Sequence, residues 1–527
     1  MSKFRNLFLN LLLVMVAVLF LACDKSEGAY VQLGDLEKEI SAVMPVLAVQ
    51  TKEDAADSLD FIRVPSNPIL ADKIEDWVEA PYYEDCRVTL LDRGEVLLDN
   101  ADVQVKVRGN WSSAWDKKPL RMKFKEKTSL LGMNEGRAYK NWILLAELKD
   151  ISMLRGKTAF EIAEAVYRED DLYSSDSHLV SLVVNGQYFG VYLLAENQEI
   201  KEGRVDITKP AKNYTGTDIG YLLEMDGHYY GEEELQKFEL PYYDNVALIP
   251  YDGAGGSGRS MRPLPESESD PKRMMGITIK SDIYSAEQRD FICGYLELVY
   301  EIMYEAAYNK KAFVFGDDYK SIHETTSLTP REAVERVVNL DSLVDTYIVS
   351  EIACDADIYF TSFYMSVDMG PAGDGRLTFE APWDFDSALG NKLRYPDGTG
   401  YYAANIVPDG NTGTDFGARY EAINPWLAVY AYGDGFMDMV KDKWNRLYAT
   451  GIFDEVLEMI SSDTEAYVSE FERNYNKWKL CGGMRSVMKE LCPEERATTC
   501  QADSAAHLKE WLAARVAFLQ SEWGEGE

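Results

Sequence analysis

Two short acidic strings are the residues of this sequence best suited to chemistry: Asp355-Ala356-Asp357 and, beyond a turn-rich stretch, Pro382-Trp383-Asp384-Phe385-Asp386. Phosphoryl transfer needs one carboxylate to orient an attacking hydroxyl and another to hold Mg2+ against the phosphates. Asp357 and Asp384 are the candidates for those two tasks. Acidic residues at strand ends also serve as turn formers and helix caps, and that is the competing explanation of the same strings.

The elements around the acids set their order. A helix is predicted from about 342 to 354, with Asp341 as N-cap and Leu343, Tyr347, Ile348 and Ile352 on its apolar face. A hairpin follows, Ser362–Asp368 and Arg376–Pro382, around the turn 370–375. Protein kinases place their two carboxylates in this order, one on a loop after a helix and one on a turn after a short hairpin. The usual HRD and DFG strings are absent.

Other chemistries fare worse. Gly253-Ala254-Gly255-Gly256-Ser257-Gly258 satisfies GxGxxG, but a phosphate cradle needs a helix N-terminus after its glycines. Pro263, Pro265 and Pro271 prevent one, so this stretch is expected to be a loop. The four histidines, His178, His228, His323 and His507, form no zinc-hydrolase spacing. With 54 Lys+Arg against 89 Asp+Glu the chain carries −35, which argues against nucleic acid as a partner.

The first 43 residues concern location. Lys3 and Arg5 precede an apolar run, Leu7 to Leu21, that ends at Ala22-Cys23-Asp24. This describes an export signal, residues 1–22, with Cys23 placed as the lipidated residue of a bacterial lipoprotein. Residues 23–43 then form a tether, and the lipid holds the protein at the cell envelope, periplasmic or outer surface. Six further cysteines include the close group Cys481, Cys492 and Cys500, where a disulfide is expected if any forms.

Strand-like runs lie at 44–49, 88–91, 103–107, 120–124 and 142–145, and apolar–charged alternation in 103–107 and 120–124 fits half-buried antiparallel strands. A helix is predicted at 152–166, then strands 179–185 and 188–195 joined by Asn185-Gly186. This half reads as a sheet carrying one helix. Ser285 and Gln288 form a capping box for a helix at 285–309, and residues 451–523 are helical.

Several strings resemble one family in order. They are Arg108-Gly109-Asn110 with Lys117-Lys118-Pro119-Leu120-Arg121-Met122-Lys123-Phe124; Lys140 to Glu147 with Asp150 and Arg155; Asn185 to Glu196; Gly220 to Asp226; and Pro382 to Asn391. The chain resembles the CotH kinase family, atypical kinase-like phosphotransferases named for a bacterial spore-coat protein. The resemblance implies an α+β, two-lobed kinase-like fold: an N-lobe at 44–200, a C-lobe at 201–450 and a helical C-terminal extension at 451–527. It also implies use of ATP with Mg2+ (or Mn2+) and transfer of the γ-phosphoryl group to Ser or Thr of a secreted or surface protein. Asp357 would act on the acceptor hydroxyl. Asp384 would hold the metal, helped by Asp386 and Asn391. Lys123, oriented by Glu161, would contact phosphates, with Arg108 and Lys118 on the nucleotide side. Two positions depart from the family pattern: Asp355 stands where Asn is common, and Trp111-Ser112-Ser113 replaces the usual string after Arg-Gly-Asn. The alternative function is a catalytically inactive, kinase-like surface adhesion or scaffold lipoprotein.

Overall fold

The computed structural model describes residues 30–31, 43–53, 59–64, 83–109, 111–241, 248–253, 274–359, 361–392, 397–406, 423–479 and 491–525. The predicted export segment with Cys23, Asn110, the glycine-rich stretch after Gly253, and Cys481 lie outside them.

The predicted strand-like runs form seven strands: β1 (Val46–Thr51), β2 (Glu84–Asp92), β3 (Glu95–Val107), β4 (Leu120–Thr128), β5 (Tyr139–Leu145), β6 (Ser177–Val184) and β7 (Gln187–Glu196). They do not stop at an open sheet. They close into a barrel in the order β1-β2-β3-β4-β5-β7-β6, sealed by parallel pairing of Val46–Val49 with Ser181–Val184. Alternate residues fill the interior, among them Val103, Val105, Leu120, Met122, Phe124, Trp142, Leu144, Leu182 and Leu194. Closure removes the exposed edges that an open sheet would leave. Asn185 and Gly186, at φ 50° and 76°, make the β6–β7 turn as predicted.

Tyr30 and Val31 make contact with the barrel. Tyr30 bridges to Lys52, the Val31 amide donates to Thr51 O at 3.0 Å, and the Arg87 guanidinium lies 4.3 Å from the Tyr30 ring centre.

Between β5 and β6 the chain forms α1 (Arg155–Arg168), whose Ala159, Phe160, Ile162, Ala163 and Val166 face a second core. The residue at its N-cap position, Leu154, offers no capping side chain. Asp150 does that work instead, accepting the Arg155 amide at 2.7 Å and the Ser152 amide at 2.9 Å.

The second half contains β8 (Gly220–Met225), β9 (Lys237–Pro241), β10 (Met274–Ile279), the small hairpin β11 (Ala312–Phe315) and β12 (Ile322–Thr325), then β13 (Phe363–Asp368) and β14 (Leu377–Phe379). Five of these strands form a sheet of order β14-β13-β8-β10-β9. Helix α2 (Ala286–Tyr304) carries the expected Ser285–Gln288 capping box and ends in a π-helical turn at 305–309. Helix α3 (Leu340–Ala353) is capped by Asn339 rather than Asp341, because the Asn339 side chain reaches the Ser342 amide and Asp341 falls within the first turn.

The last helices, α4 (Phe436–Ala449), α5 (Ile452–Ala466), α6 (Val468–Trp478) and α7 (Gln501–Trp523), share the second core. Trp523 of α7 packs on Trp444 and Tyr347, and buried Arg515 pairs with Glu351 at 2.6 Å. The class is therefore α+β. No helix among the described residues is long and apolar enough to cross a membrane. Cys492 and Cys500 are free thiols, so they do not bridge each other. Cys492 is instead buried at the start of a short helix.

Candidate active site

Helix α3 ends with Cys354 at φ 46°, and its last carbonyls and the loop beyond are fastened to the segment after β14. The Ala356 amide donates to Ser387 O at 3.1 Å and the Leu389 amide to Ala353 O at 2.7 Å. These two bonds bring the Asp355–Asp357 loop against the Asp384–Asn391 loop.

Four carboxylates gather there. Asp355 is buried, and one of its oxygens accepts the Asp357 amide at 3.0 Å. Asp357, Asp384 and Asp386 retain partial exposure, with 14% for the Asp386 side chain. The surrounding protein still desolvates Asp384 and Asp386. Burial, with Asp386 and Asp357 adding repulsion, pushes Asp384 up to about 7, while Lys149 and Arg108 offset part of the rise. Burial also raises Asp386, opposed first by Lys149. Asp355 is held well above the ordinary carboxylate range by burial and by the charges of Asp357, Asp384 and Asp386. Mutual influence of this kind requires short separations in a medium of low dielectric.

The backbone here is unusual. Glu147, Cys354, Ser362, Ala381, Asp384 and Leu389 all sit at positive φ, between 46° and 72°, and none is glycine. Each such residue costs on the order of 1–2 kcal/mol, and clusters of them mark functional sites. Ser362 Oγ donates to Asp384 Oδ2 at 3.3 Å, and Tyr402 Oη to Asp355 O at 2.5 Å.

Cations line the same space. Lys149 Nζ lies 3.9 Å from Asp386 Oδ1 and 3.5 Å from Ser387 Oγ. Arg108 follows the last residue of β3, where its amide donates to Pro119 O at 3.0 Å. Its guanidinium lies 5.6 Å from the Trp383 ring centre and feels the charges of Asp384 and Glu224. Glu224 in turn accepts the Ser362 amide at 3.1 Å and pairs with Lys280 at 2.7 Å.

Three other predicted site residues lie apart from the acids. Lys123 is exposed on the outer face of β4, its ammonium 5.9 Å from the Tyr83 ring centre. Glu161 faces the charges of Lys157, Glu164, Asp176 and Asp463 instead. The Lys123–Glu161 pair does not form. Met122 and Phe124 point into the barrel, so strand alternation sends Lys123 the other way. Lys118 folds back on its own loop, donating to Ser113 O at 2.8 Å and Trp115 O at 2.6 Å, and burial pushes its ammonium down to about 8. Its neighbour Lys117 is also buried, near Glu147 and Asp150. It donates to Ala146 O at 2.8 Å and to Val191 O, and burial lowers it to about 7. It also feels Glu147, a buried carboxyl raised by desolvation and by Asp150, Asp386 and Asp384.

Asn391 Nδ2 donates to Asp386 O at 2.7 Å. Its Oδ1, Asp355 Oδ2 and Glu147 Oε2 are buried without a hydrogen-bond partner. These are hard oxygen donors left without partners, which suits a small divalent cation. No group of three His, Cys, Asp or Glu side chains among the described residues is arranged to hold an ion by itself. A cavity of ≈ 490 Å³ lies at the opposite end of the barrel, lined by Pro45, Arg93, Leu131, His178 and Tyr467, and none of the four acids reaches it.

A family model described as CotH kinase protein matches residues 105–519 of the 527, from the end of β3 through most of α7. The chain belongs to the CotH kinase family. No curated protein matches it significantly. Within this family member, the matched span includes all four acids, Lys149, Arg108 and the C-terminal helices.

Lys149, Lys117 and Glu147 were not predicted as site residues. A signal was present, since Glu147, Lys149 and Asp150 lie together just after an apolar strand ending at Leu145. Three ionisable residues leaving a buried strand are well placed for a cleft.

Proposed function

We propose that this CotH family member binds ATP with Mg2+ (or Mn2+) in the cleft around Asp384 and transfers the γ-phosphoryl group to Ser or Thr of a secreted or surface protein. The observation carrying this reading is the set of four carboxylates on two loops fastened together, where burial and neighbouring charge raise Asp355, Asp384 and Asp386. Such crowding is costly unless a proton or a cation sits among them.

Asp384 and Asp386 would hold the metal, with Asn391 Oδ1 and Asp355 Oδ2 as buried oxygens lacking partners on the same two loops. Mg2+ commonly takes one or two carboxylates and completes its shell with phosphates and water, so no three-carboxylate cage is needed. When bound, the ion neutralises charge on the β- and γ-phosphates. Arg108 and Lys149 face the same space and would orient the phosphate oxygens. Asp357 would accept the proton of the acceptor hydroxyl as that oxygen bonds to the γ-phosphorus and the bond to the ADP oxygen breaks.

The barrel and the five-stranded sheet with its helices would act as the two lobes of a kinase-like arrangement, 44–200 and 201–450. Lipid on Cys23 would keep the protein at the envelope. Cys23 lies seven residues before Tyr30, which bridges to Lys52, so the leash is at most about 25 Å at ~3.6 Å per residue. One observation favours the second reading, an inactive surface scaffold: the Lys123–Glu161 pair that an ordinary kinase would use is not formed.

Calorimetry with ATP and either metal, beside label incorporation into casein, tests both readings. Asp384→Asn should lose metal-dependent ATP binding and transfer together. Asp357→Asn should keep ATP affinity within about twofold and lose at least 10²-fold in transfer rate, the general-base contribution. Folded wild type that binds no nucleotide with either metal leaves the scaffold reading standing.

A further inference from the structure

The loop from Asp384 ends in three consecutive residues whose backbone carbonyls are all held from outside it. Leu389 O accepts Arg155 Nε at 3.2 Å, Gly390 O accepts the Cys492 thiol at 3.4 Å, and Asn391 O accepts the Cys492 amide at 2.9 Å. Gly390, at φ +82°, lies under the indole of Trp511 from α7, so close that a Cβ there would stand 2.4 Å from the ring.

Arg155 and Cys492 are linked to each other. The Arg155 guanidinium is wholly buried, donates to Asp150 Oδ1 at 2.5 Å and pairs with Glu495. Glu495, also wholly buried, accepts Ser504 Oγ at 2.7 Å and lies 2.6 Å from His507 Nδ1. Its own amide points at the Cys492 sulfur at 3.5 Å. A buried arginine with two carboxylates is an expensive way to pack a core, since apolar side chains of similar volume serve as well or better. A guanidinium fork does something they cannot: it fixes two carboxylates and a loop carbonyl in one rigid geometry.

We propose that Arg155 and Glu495 are a positioning pair through which the C-terminal segment, 491–523, fixes the Asp384–Asn391 loop in the geometry that receives metal-bound nucleotide. The nucleotide part rests on the phosphotransfer reading; the fixing of the loop does not. Neither residue touches the reacting atoms. The C-terminal helices are on this account part of the site rather than an appendage to it.

The test uses the whole chain with Glu495→Gln, which keeps the side chain's size and removes its charge. Site-resolved hydrogen exchange should show the Ala356 and Leu389 amides, which join the two acidic loops, exchanging at least about tenfold faster, while Leu182 and Leu194 in the barrel are unchanged. The KM for metal–ATP should rise about 10–100-fold with kcat at saturation near wild type, as for partners that orient a metal ligand. Arg155→Lys, which keeps the charge and loses the fork, should fall between. If Glu495→Gln does not fold, Gly390→Ala replaces it, pressing on Trp511 without altering charge, and the same local exchange is expected. Uniform acceleration across the chain, or unchanged exchange at Ala356 and Leu389, overturns the proposal. Wild type that binds no ATP would remove the phosphotransfer reading, and the exchange result would still decide the positioning role.

Discussion

In the barrel, β4 and β5 send Met122, Phe124, Trp142 and Leu144 inward while Lys123 and Lys125 stand in solvent. On the loops after α3 and β14, four carboxylates crowd a desolvated space, and Cys354, Asp384 and Leu389 adopt left-handed backbone. The first arrangement follows local rules at almost every residue. The second breaks several at once and persists only because the surrounding helices and strands hold it. The difference separates the part of the molecule that supplies stability from the part arranged for chemistry, which tolerates repulsion and strain.

Substitution should expose that division. The largest effect is expected from Trp142→Ala in the barrel, whose buried ring leaves a cavity: about 3–5 kcal/mol of stability by denaturant titration, with ATP affinity of the remaining folded protein unchanged. Equal loss of ATP affinity would mean that the barrel and the site are not separable.

Lys149→Ala should do the reverse. It removes a cation facing Asp386 and should weaken ATP binding on the order of tenfold in calorimetry, the scale of one charge-assisted contact, with little change in melting temperature. Lys123→Ala is its control. Lys123 is exposed on the barrel's outer face, so stability should move by less than about 0.5 kcal/mol and ATP affinity not at all.

The crowded acids also predict a pH dependence. Asp384 is raised from an ordinary 3.8 to about 7, so between those values the folded state holds a proton that the unfolded state has released. Metal-free stability should therefore fall as pH rises from about 4 to 7 and then level off. Asp386 and Asp355 shift in the same direction and add to the slope. Added Mg2+ should flatten the curve by favouring the ionised carboxylates. Melting curves across that window, with and without metal, check it; a metal-free curve that rises instead would contradict the crowded-acid picture.

Much of this protein is legible in its sequence because the controlling interactions are local. Strand-like runs, two of them alternating, place the barrel strands, Asn185-Gly186 makes its turn, Ser285 and Gln288 cap α2, and the order helix, Asp357, hairpin, Asp384 is present in the chain. Alternation even contains the argument against Lys123, which lies between two inward-facing residues. Other features depend on contacts between distant segments, which no period encodes. The barrel closes because β1 meets β6, more than a hundred residues away. Lys117 is buried where Ala146 O and Val191 O receive it, while Lys118 folds back on Ser113 O and Trp115 O. Lys149 reaches Asp386, and Arg155 reaches both Leu389 and Glu495, only once β5, α1 and the C-terminal helices have packed. Residue types and spacing determined which groups were available for phosphoryl chemistry. Tertiary packing decided which of them share one desolvated space, because charge interactions depend on distance and dielectric, and both are set by the fold.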